Sequence, residues 1–175
     1  MRRLPRFLAV AGAVGAAAFL GATATLAAQA SDQPPTEQQP STVEDYAYPG
    51  ADAILKQYGV KLIAGDGHIL FAECSSGTDL IRVRTNEGIG AGGKGAICFR
   101  VTAPAGYLTL KVPAVYEIRG DGYGSTKGHK LKAELTTDAG EHKVVDVNPN
   151  GSTQVGVSTE PPGEPTTLLR LDASS

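Results

Sequence analysis

The 175-residue sequence contains no tryptophan, one methionine and only two cysteines. Without tryptophan, an aromatic platform for stacking against sugar rings would have to consist of tyrosine. No serine occupies the G-x-S-x-G pattern of a nucleophile elbow, and both cysteines are expected to form a disulfide. The sequence therefore predicts no nucleophilic catalytic site and favours a protein that is not an enzyme. A carboxylate pair from distant strands, as in glycoside hydrolases, would leave no sequence signature and stays open.

The sequence also lacks an excess of basic residues. It has 16 Lys and Arg against 18 Asp and Glu, and residues 1–30 hold three of the arginines and none of the acids. Removal of this segment would change the formal net charge from −2 to about −5. A mildly acidic chain has no electrostatic attraction for nucleic acid or anionic membranes, so neither partner is predicted.

Residues 1–30 have the three parts of a secretory signal peptide. Three arginines precede an apolar run over 7–26, and Ala28-Gln-Ala30 fits a small-x-small cleavage site. The alternative is a retained membrane anchor, because residues 7–28 are just long enough to span a bilayer. The high content of Ala and Gly makes this run weakly hydrophobic and favours cleavage. We therefore expect a secreted, extracellular protein that is free of the membrane after cleavage.

The composition divides the rest of the chain into two parts. Residues 31–47 are rich in Pro, Gln and Ser and are expected to form a disordered linker. Residues 48–172 form a single predicted domain. It begins with a short helix over 50–58, which Gly59 should end. Ile54, Leu55 and Tyr58 should lie on one side of this helix and dock on the sheet.

Cys74 and Cys98 are predicted to form a disulfide, because a secreted chain with two thiols is more often bridged than bound to zinc. Both lie in β-like runs, 68–74 and 96–102. In the second run Ile97, Phe99 and Val101 alternate with Cys98, so the cysteine should point away from the main core. We expect the bridge to connect neighbouring strands or a strand and a loop.

Short β-like runs continue to the end of the chain. They are separated by turn residues and spaced as in an antiparallel β-sandwich or a squat barrel, and the fold class is all-β. Val112-Pro113-Ala114 predicts a turn or bend, and Asp138-Ala-Gly140 a hairpin turn. Leu131, Ala133 and Leu135 alternate with Lys130, Lys132 and Glu134, so this strand should have one face in solvent. Leu108, Leu110 and Val112 alternate with Tyr107, Thr109 and Lys111 in the same way. The expected strands are 60–63, 68–74, 80–85, 96–102, 107–112, 115–119, 129–136, 142–147, 153–157 and 166–171.

Two sequence motifs suggest functions that their context does not support. Gly88-Ile-Gly-Ala-Gly-Gly-Lys-Gly95 matches phosphate-binding patterns by letter, yet a strand and not a helix should follow it, and Gly95 replaces the required hydroxyl. Arg119-Gly-Asp121 spells a cell-adhesion tripeptide, which we expect on an exposed turn. Three-letter matches such as this tripeptide are frequent by chance. Neither motif therefore assigns a function.

The candidate ligand contacts are Tyr107, Asp121, Tyr123 and His129. Tyr107 lies on the polar side of its strand, and Tyr123 lies in a loop between Asp121 and His129. No metal site is predicted from His68, His129 and His142, because no pair of them has ligand spacing. The loop residues around Asp66, Asp121, Asp138 and Asn148–Gly151 suit calcium, but the same residue types are common in turns. We expect no cofactor, with calcium as the alternative.

The runs 48–74, 97–102 and 106–110 resemble small secreted proteins of high-GC, Gram-positive actinobacteria such as streptomycetes. The resemblance extends over most of residues 48–171. That group has no assigned activity, so the resemblance implies actinobacterial origin and export and transfers no functional residue.

Three functions are compatible with these observations. The first is a secreted, non-catalytic binding protein with an unknown protein or glycan partner. The second is a carbohydrate-binding module that uses exposed tyrosine, and the third is a secreted hydrolase or hydrolase inhibitor. A monomer is expected.

Overall fold

A computed structural model describes residues 46–74, 79–122 and 125–175. Within these ranges, segments with alternating apolar residues form nine strands that pair antiparallel. The expected signal peptide, nearly all of the expected linker and Tyr123 lie outside these residues. No helix in the described part of the chain is long and apolar enough to cross a membrane. The elements are α1 (Ala51–Tyr58), β1 (Lys61–Gly65), β2 (Ile69–Ala72), β3 (Ile81–Thr85), β4 (Ala96–Val101), β5 (Gly106–Arg119), β6 (Lys130–Thr137), β7 (His142–Val147), β8 (Ser152–Gln154) and β9 (Thr166–Ser174).

The strand β5 pairs with two groups of strands, which we call the two halves of the sheet. Its first part pairs with β1 and β9, and its second part pairs with β3 and β8. The order is β2-β4-β3-β5-β9-β6-β7, and β2 and β7 do not pair with each other, so the described strands do not close into a barrel. The all-β prediction is confirmed.

The expected break at Pro113 is a bend within one long strand. Ala114 has a φ of 50°, and the pairing of β5 with β9 shifts register around this position. The carbonyl oxygens of Pro113 and Ala114 accept hydrogen bonds from Thr85 Oγ1 and Asn86 N, respectively. These contacts hold β3 at the bend, so the chain turns without leaving the sheet.

One apolar cluster contains buried side chains from strands of both halves of the sheet. In β6 the predicted alternation is confirmed, since Leu131, Ala133 and Leu135 are buried while Lys130 and Lys132 are exposed. The inward residues of β5 that were expected from the same pattern are also fully buried. This inward set fixes which side chains of β5, β6 and β9 face solvent.

The helix α1 ends where the sequence predicts. Gly59 has a φ of 70°, which favours glycine, and its N–H donates to the carbonyl oxygen of Leu55 at 2.9 Å. Ile54 and Tyr58 pack against the core, but the side chain of Leu55 is exposed, so its predicted docking was wrong. The folded part also starts earlier than expected, because Ala47 already forms a bridge with Ala64.

The disulfide between Cys74 and Cys98 is formed, with a Cα–Cα distance of 5.2 Å. Cys98 lies in β4 opposite Ala72 and is fully buried, but it is not part of the main apolar cluster. The predicted orientation away from the core is therefore confirmed. The expected strand through Cys74 was too long, since β2 ends at Ala72 and Cys74 lies in the segment that follows. The bridge joins that segment to the neighbouring strand.

Candidate functional site

Two of the four candidate ligand contacts meet in space. Asp121 follows the end of β5, His129 precedes β6, and the loop between them brings their side chains into direct contact. Tyr107 lies on β5 and contacts a different set of residues, and Tyr123 is outside the described residues. The structure therefore contains two candidate areas, which we describe in turn.

Asp121 binds His129 with both carboxylate oxygens. Oδ1 accepts the main-chain N–H of His129 at 2.8 Å, and Oδ2 lies 2.6 Å from the ring atom Nδ1. Because an ionised carboxylate can only accept, Nδ1 carries the hydrogen. Asp121 is 6% exposed, whereas the His129 side chain is 28% exposed and its Nε2 has no hydrogen bond to the described residues. The carboxylate thus orients the imidazole ring through Nδ1.

Three glycines bring the loop against the turn at Asn148–Gly151. The N–H groups of Gly120, Gly122 and Gly128 donate to Gly151 O, Pro149 O and Asn150 Oδ1, respectively, at 2.8–3.0 Å. A Cβ atom on Gly128 would collide with the Pro149 carbonyl and with the main chain of Gly122. Close backbone contact therefore requires glycine here.

This packing also corrects the expectation for Arg119-Gly-Asp121. Gly120 and Asp121 are buried, and the carboxylate is bound to His129. The tripeptide does not lie on an exposed turn, and its acidic group is not presented to a receptor.

Two cavities share Lys130, and one of them is also lined by His129. The first has a volume of about 330 Å³ and is lined by Lys127, Gly128, His129, Lys130 and Ser175. The second has a volume of about 370 Å³ and lies along β6, β7 and β9. Its lining residues are Lys130, Leu131, Lys132, Asp146, Val147, Pro149, Asp172, Ala173 and Ser174. Lys130 therefore connects the His129 area with the outer face of the sheet.

A row of polar side chains crosses this outer face over four strands. The strand register aligns Tyr107 of β5, Asp172 of β9, Lys132 of β6 and Asp146 of β7. Lys132 Nζ lies 2.6 Å from Asp146 Oδ1. We call these four residues the outer row. Because neighbouring residues in the four strands point to the core, the outer row faces solvent.

Arg170 orders one end of the outer row. Its Nε and Nη2 donate to the Asp172 carboxylate at 2.7–3.0 Å, and its guanidinium carbon lies 4.3 Å from the centre of the Tyr107 ring. The hydrogen bonds to Asp172 raise the pKa of Arg170 above its ordinary value. The three side chains thus form a fixed unit with one aromatic ring and several polar atoms.

The three histidines do not meet. His68 pairs with Asp66 at 3.4 Å, His129 with Asp121 at 2.6 Å, and His142 with Glu134 at 3.5 Å. Within the described segments no three side chains of His, Cys, Asp or Glu come together as a metal-binding group. Each histidine instead has its own carboxylate.

Two of the loop residues considered for calcium, Asp66 and Asn148, accept main-chain hydrogen bonds with their side-chain oxygens. Asp66 accepts from the main-chain N–H groups of His68 and Tyr107, and Asn148 Oδ1 accepts from Asn150 N at 3.1 Å. These are the contacts that turn residues commonly make.

Sequence reasoning missed Arg170, Asp172 and Lys132. Arg170 and Asp172 alternate with buried Leu171 and Ala173, so the pattern contained a signal that they face solvent. Their assembly around Tyr107 depends on the pairing of β5 with β9, which the sequence does not show. The chain matches no model of a known protein family, and no curated protein matches its sequence.

Proposed function

We propose that the protein is exported and binds an extended polar ligand, a polysaccharide, without chemically changing it. The contact surface is the outer row together with the 330 Å³ cavity that His129 lines. The observation that carries this proposal is the unit of Tyr107, Arg170 and Asp172, in which a guanidinium lies over one face of an aromatic ring and is held by a carboxylate. Sugars are bound by this combination, because ring faces stack on pyranose faces and polar groups bind hydroxyls.

The geometry supports an extended ligand. The outer row crosses four adjacent strands, which lie about 5 Å apart in a sheet. The 370 Å³ cavity includes three of its members, Lys132, Asp146 and Asp172. Lys130 continues this surface towards His129, which lines the 330 Å³ cavity. A chain of several sugar units fits such a surface better than a single small molecule.

Export is supported by two features of the chain. Residues 1–30 have the pattern of a signal peptide, and Cys74 and Cys98 are joined as in proteins of oxidising compartments. The resemblance to secreted actinobacterial proteins agrees with this proposal. The site of action would be the cell envelope or the surrounding medium.

The hydrolase alternative has one observation in its favour. Asp146 and Asp172 both line the larger cavity, as the two carboxyl groups of a glycoside hydrolase would. Each is already bound by a cation, Asp146 by Lys132 and Asp172 by Arg170. A carboxylate held in this way is suited to ordering neighbouring side chains and contacting hydroxyls, so we favour binding over hydrolysis.

The test is retention of the mature protein on insoluble polysaccharides, with release of reducing ends measured in the same tubes. Retention without new reducing ends is expected. Tyr107→Ala and Arg170→Ala should weaken retention about tenfold or more, as for central contact residues. Tyr116→Ala is the matched control, because Tyr116 also lies on β5 near an arginine, Arg84 at 5.8 Å.

Two results would contradict the proposal. The first is that the wild-type protein is retained on none of the polysaccharides. The second is that Tyr116→Ala weakens retention as much as Tyr107→Ala. New reducing ends would establish the hydrolase alternative instead.

A further inference from the structure

The strand β7 forms an edge of the sheet, and its outer side has no strand partner among the described residues. It is six residues long, and Val144 at its centre is 67% exposed, the highest value for a large apolar side chain in the described part of the chain. Other edges are partly covered. The main-chain N–H of Phe71 in β2 donates to Tyr48 Oη, and Ile63 O in β1 accepts from Tyr48 N. The edge of β7 is therefore suited to pairing with another strand.

The hairpin between β6 and β7 determines which backbone groups point outward. Thr137 N donates to Glu141 O, and Gly140 N donates to Thr137 O, both at 2.9 Å. Hydrogen-bonded pairs alternate along an antiparallel ladder, so Lys143, Val145 and Val147 bond to β6. The N–H and C=O groups of His142, Val144 and Asp146 consequently point away from β6 and are available to a new strand.

The side chains select one partner and one register. If a second β7 pairs antiparallel with Val144 opposite Val144, each His142 lies opposite Asp146 of the other copy. Sliding one strand by two residues would place Lys143 opposite itself, and sliding it by four would place His142 opposite itself. In the other direction, a slide of two residues would place Val144 opposite Asp146, and a slide of four would place Asp146 opposite itself. Only the register centred on Val144 places a histidine ring beside a carboxylate across the interface and an apolar residue beside its copy.

The neighbouring strand extends this complementarity. His142 lies 3.5 Å from Glu134, and Asp146 lies 2.6 Å from Lys132. In the centred register these pairs meet, so that Glu134 and His142 of one copy stand beside Asp146 and Lys132 of the other. Acidic and basic side chains then alternate across the junction.

We propose that two copies of this protein associate through β7, antiparallel and about a two-fold axis at Val144. The pairing forms six main-chain hydrogen bonds, two at Val144 and two at each His142–Asp146 pair, and joins the two sheets into one. It brings the outer faces of the two copies side by side. This assembly differs from the monomer expected from the sequence and does not depend on the ligand proposed above.

The first test is the mass of the mature protein in solution, measured by sedimentation over a range of concentrations. A monomer–dimer equilibrium is expected for the wild type, and Val144→Pro should be monomeric. Proline suits this test because the N–H of Val144 points away from β6, so its loss leaves the β6–β7 ladder intact. Circular dichroism checks that the variant remains folded.

The second test is disulfide cross-linking, which does not require a proline in the strand. Directly opposed residues of a hydrogen-bonded pair lie about 5.5 Å apart, within the range of a disulfide. Val144→Cys should form a covalent dimer under mild oxidation at least tenfold faster than Val157→Cys. Val157 is also an exposed apolar residue but lies outside β7.

Either of two results would overturn the proposal. One is a wild-type protein that stays monomeric at all concentrations while Val144→Cys cross-links no faster than Val157→Cys. The other is a dimer that persists in folded Val144→Pro, which would place the interface elsewhere. If Val144→Pro does not fold, the comparison of the two cysteine variants decides.

Discussion

The carboxylate of Asp121 binds the main-chain N–H and the ring Nδ1–H of His129 at the same time. The two residues are eight positions apart and lie at the two ends of a glycine-containing loop. Because Asp121 is buried, both hydrogen bonds are shielded from water and involve a charged acceptor. The contact closes the loop and orients the histidine.

Asp121→Asn should destabilise the protein by about 1–3 kcal/mol. The amide can still accept one hydrogen bond, but its NH₂ group would face the Nδ1–H of His129, where two donors oppose each other. Urea unfolding at neutral pH measures the change. Asp138→Asn is the control, because Asp138 lies exposed in the β6–β7 turn, and its free energy of unfolding should change by less than about 0.5 kcal/mol. Equal losses in both variants would contradict this role of Asp121.

Gly128→Ala should destabilise the protein by about 1–3 kcal/mol, since the added methyl group would displace the backbone of the Asn148–Gly151 turn. Gly88→Ala is a matched control. A Cβ at Gly88 would have only the Gly93 carbonyl at 3.8 Å as a neighbour, and neither glycine has a positive φ. Thermal unfolding of the two variants provides the comparison. An unchanged melting temperature in Gly128→Ala would show that the loop and the turn are not tightly packed.

Tyr48→Phe should cost about 1–2 kcal/mol at neutral pH, because Phe71 N–H loses its acceptor, Tyr48 Oη at 2.6 Å. Burial raises the pKa of Tyr48 above its ordinary value of 10.0. The folded state therefore retains this proton at a pH where the unfolded chain releases it, and deprotonation favours unfolding. The stability that Tyr48 contributes is complete below about pH 10 and declines above it.

The measurement is the difference in free energy of unfolding between wild type and Tyr48→Phe at pH 7 and in steps above pH 10. The difference should become smaller as the pH rises, because only the wild type carries the buried phenol. The remaining tyrosines titrate in both proteins and cancel. A difference that stays constant or grows would be incompatible with a raised pKa at Tyr48.

Replacing the disulfide by Cys74→Ser with Cys98→Ala should cost about 3–4 kcal/mol, from the loop entropy of a 24-residue separation. Cys98 is replaced by alanine because it is fully buried, and a hydroxyl there would lack a partner. Reduction of the wild type with dithiothreitol is the control and should lower the urea midpoint by a similar amount. A double variant as stable as the oxidised wild type would show that the bridge does not stabilise the fold.

The elements predicted correctly are those that local patterns determine. Alternation in β6 identified Leu131 and Leu135 as buried, and Asp138-Ala-Gly140 identified the hairpin turn, because side-chain period and turn chemistry act over a few residues. The disulfide followed from the presence of only two cysteines. Proline at position 113 was expected to separate two strands, but contacts from β3 hold the bend within one strand.

The candidate site was only partly predictable, for a physical reason. Tyr107, Asp121 and His129 were identified by residue type and position, but their contacts depend on packing between distant segments. Arg170 reaches Tyr107 only because β9 pairs with β5, and Asp121 reaches His129 only because the turn at Asn148–Gly151 supports the loop. Such contacts are determined by strand register and backbone packing, which a single sequence does not display.

The shared strand β5 has a consequence for how the molecule comes apart. Its first part supplies backbone partners to β1 and β9, and its second part supplies them to β3 and β8. If either group of strands were to melt, β5 would lose half of its ladder and the other group would lose a stable neighbour. The domain should therefore denature in one all-or-none transition, and amide protons on the two sides of Ala114 should exchange with solvent at similarly slow rates.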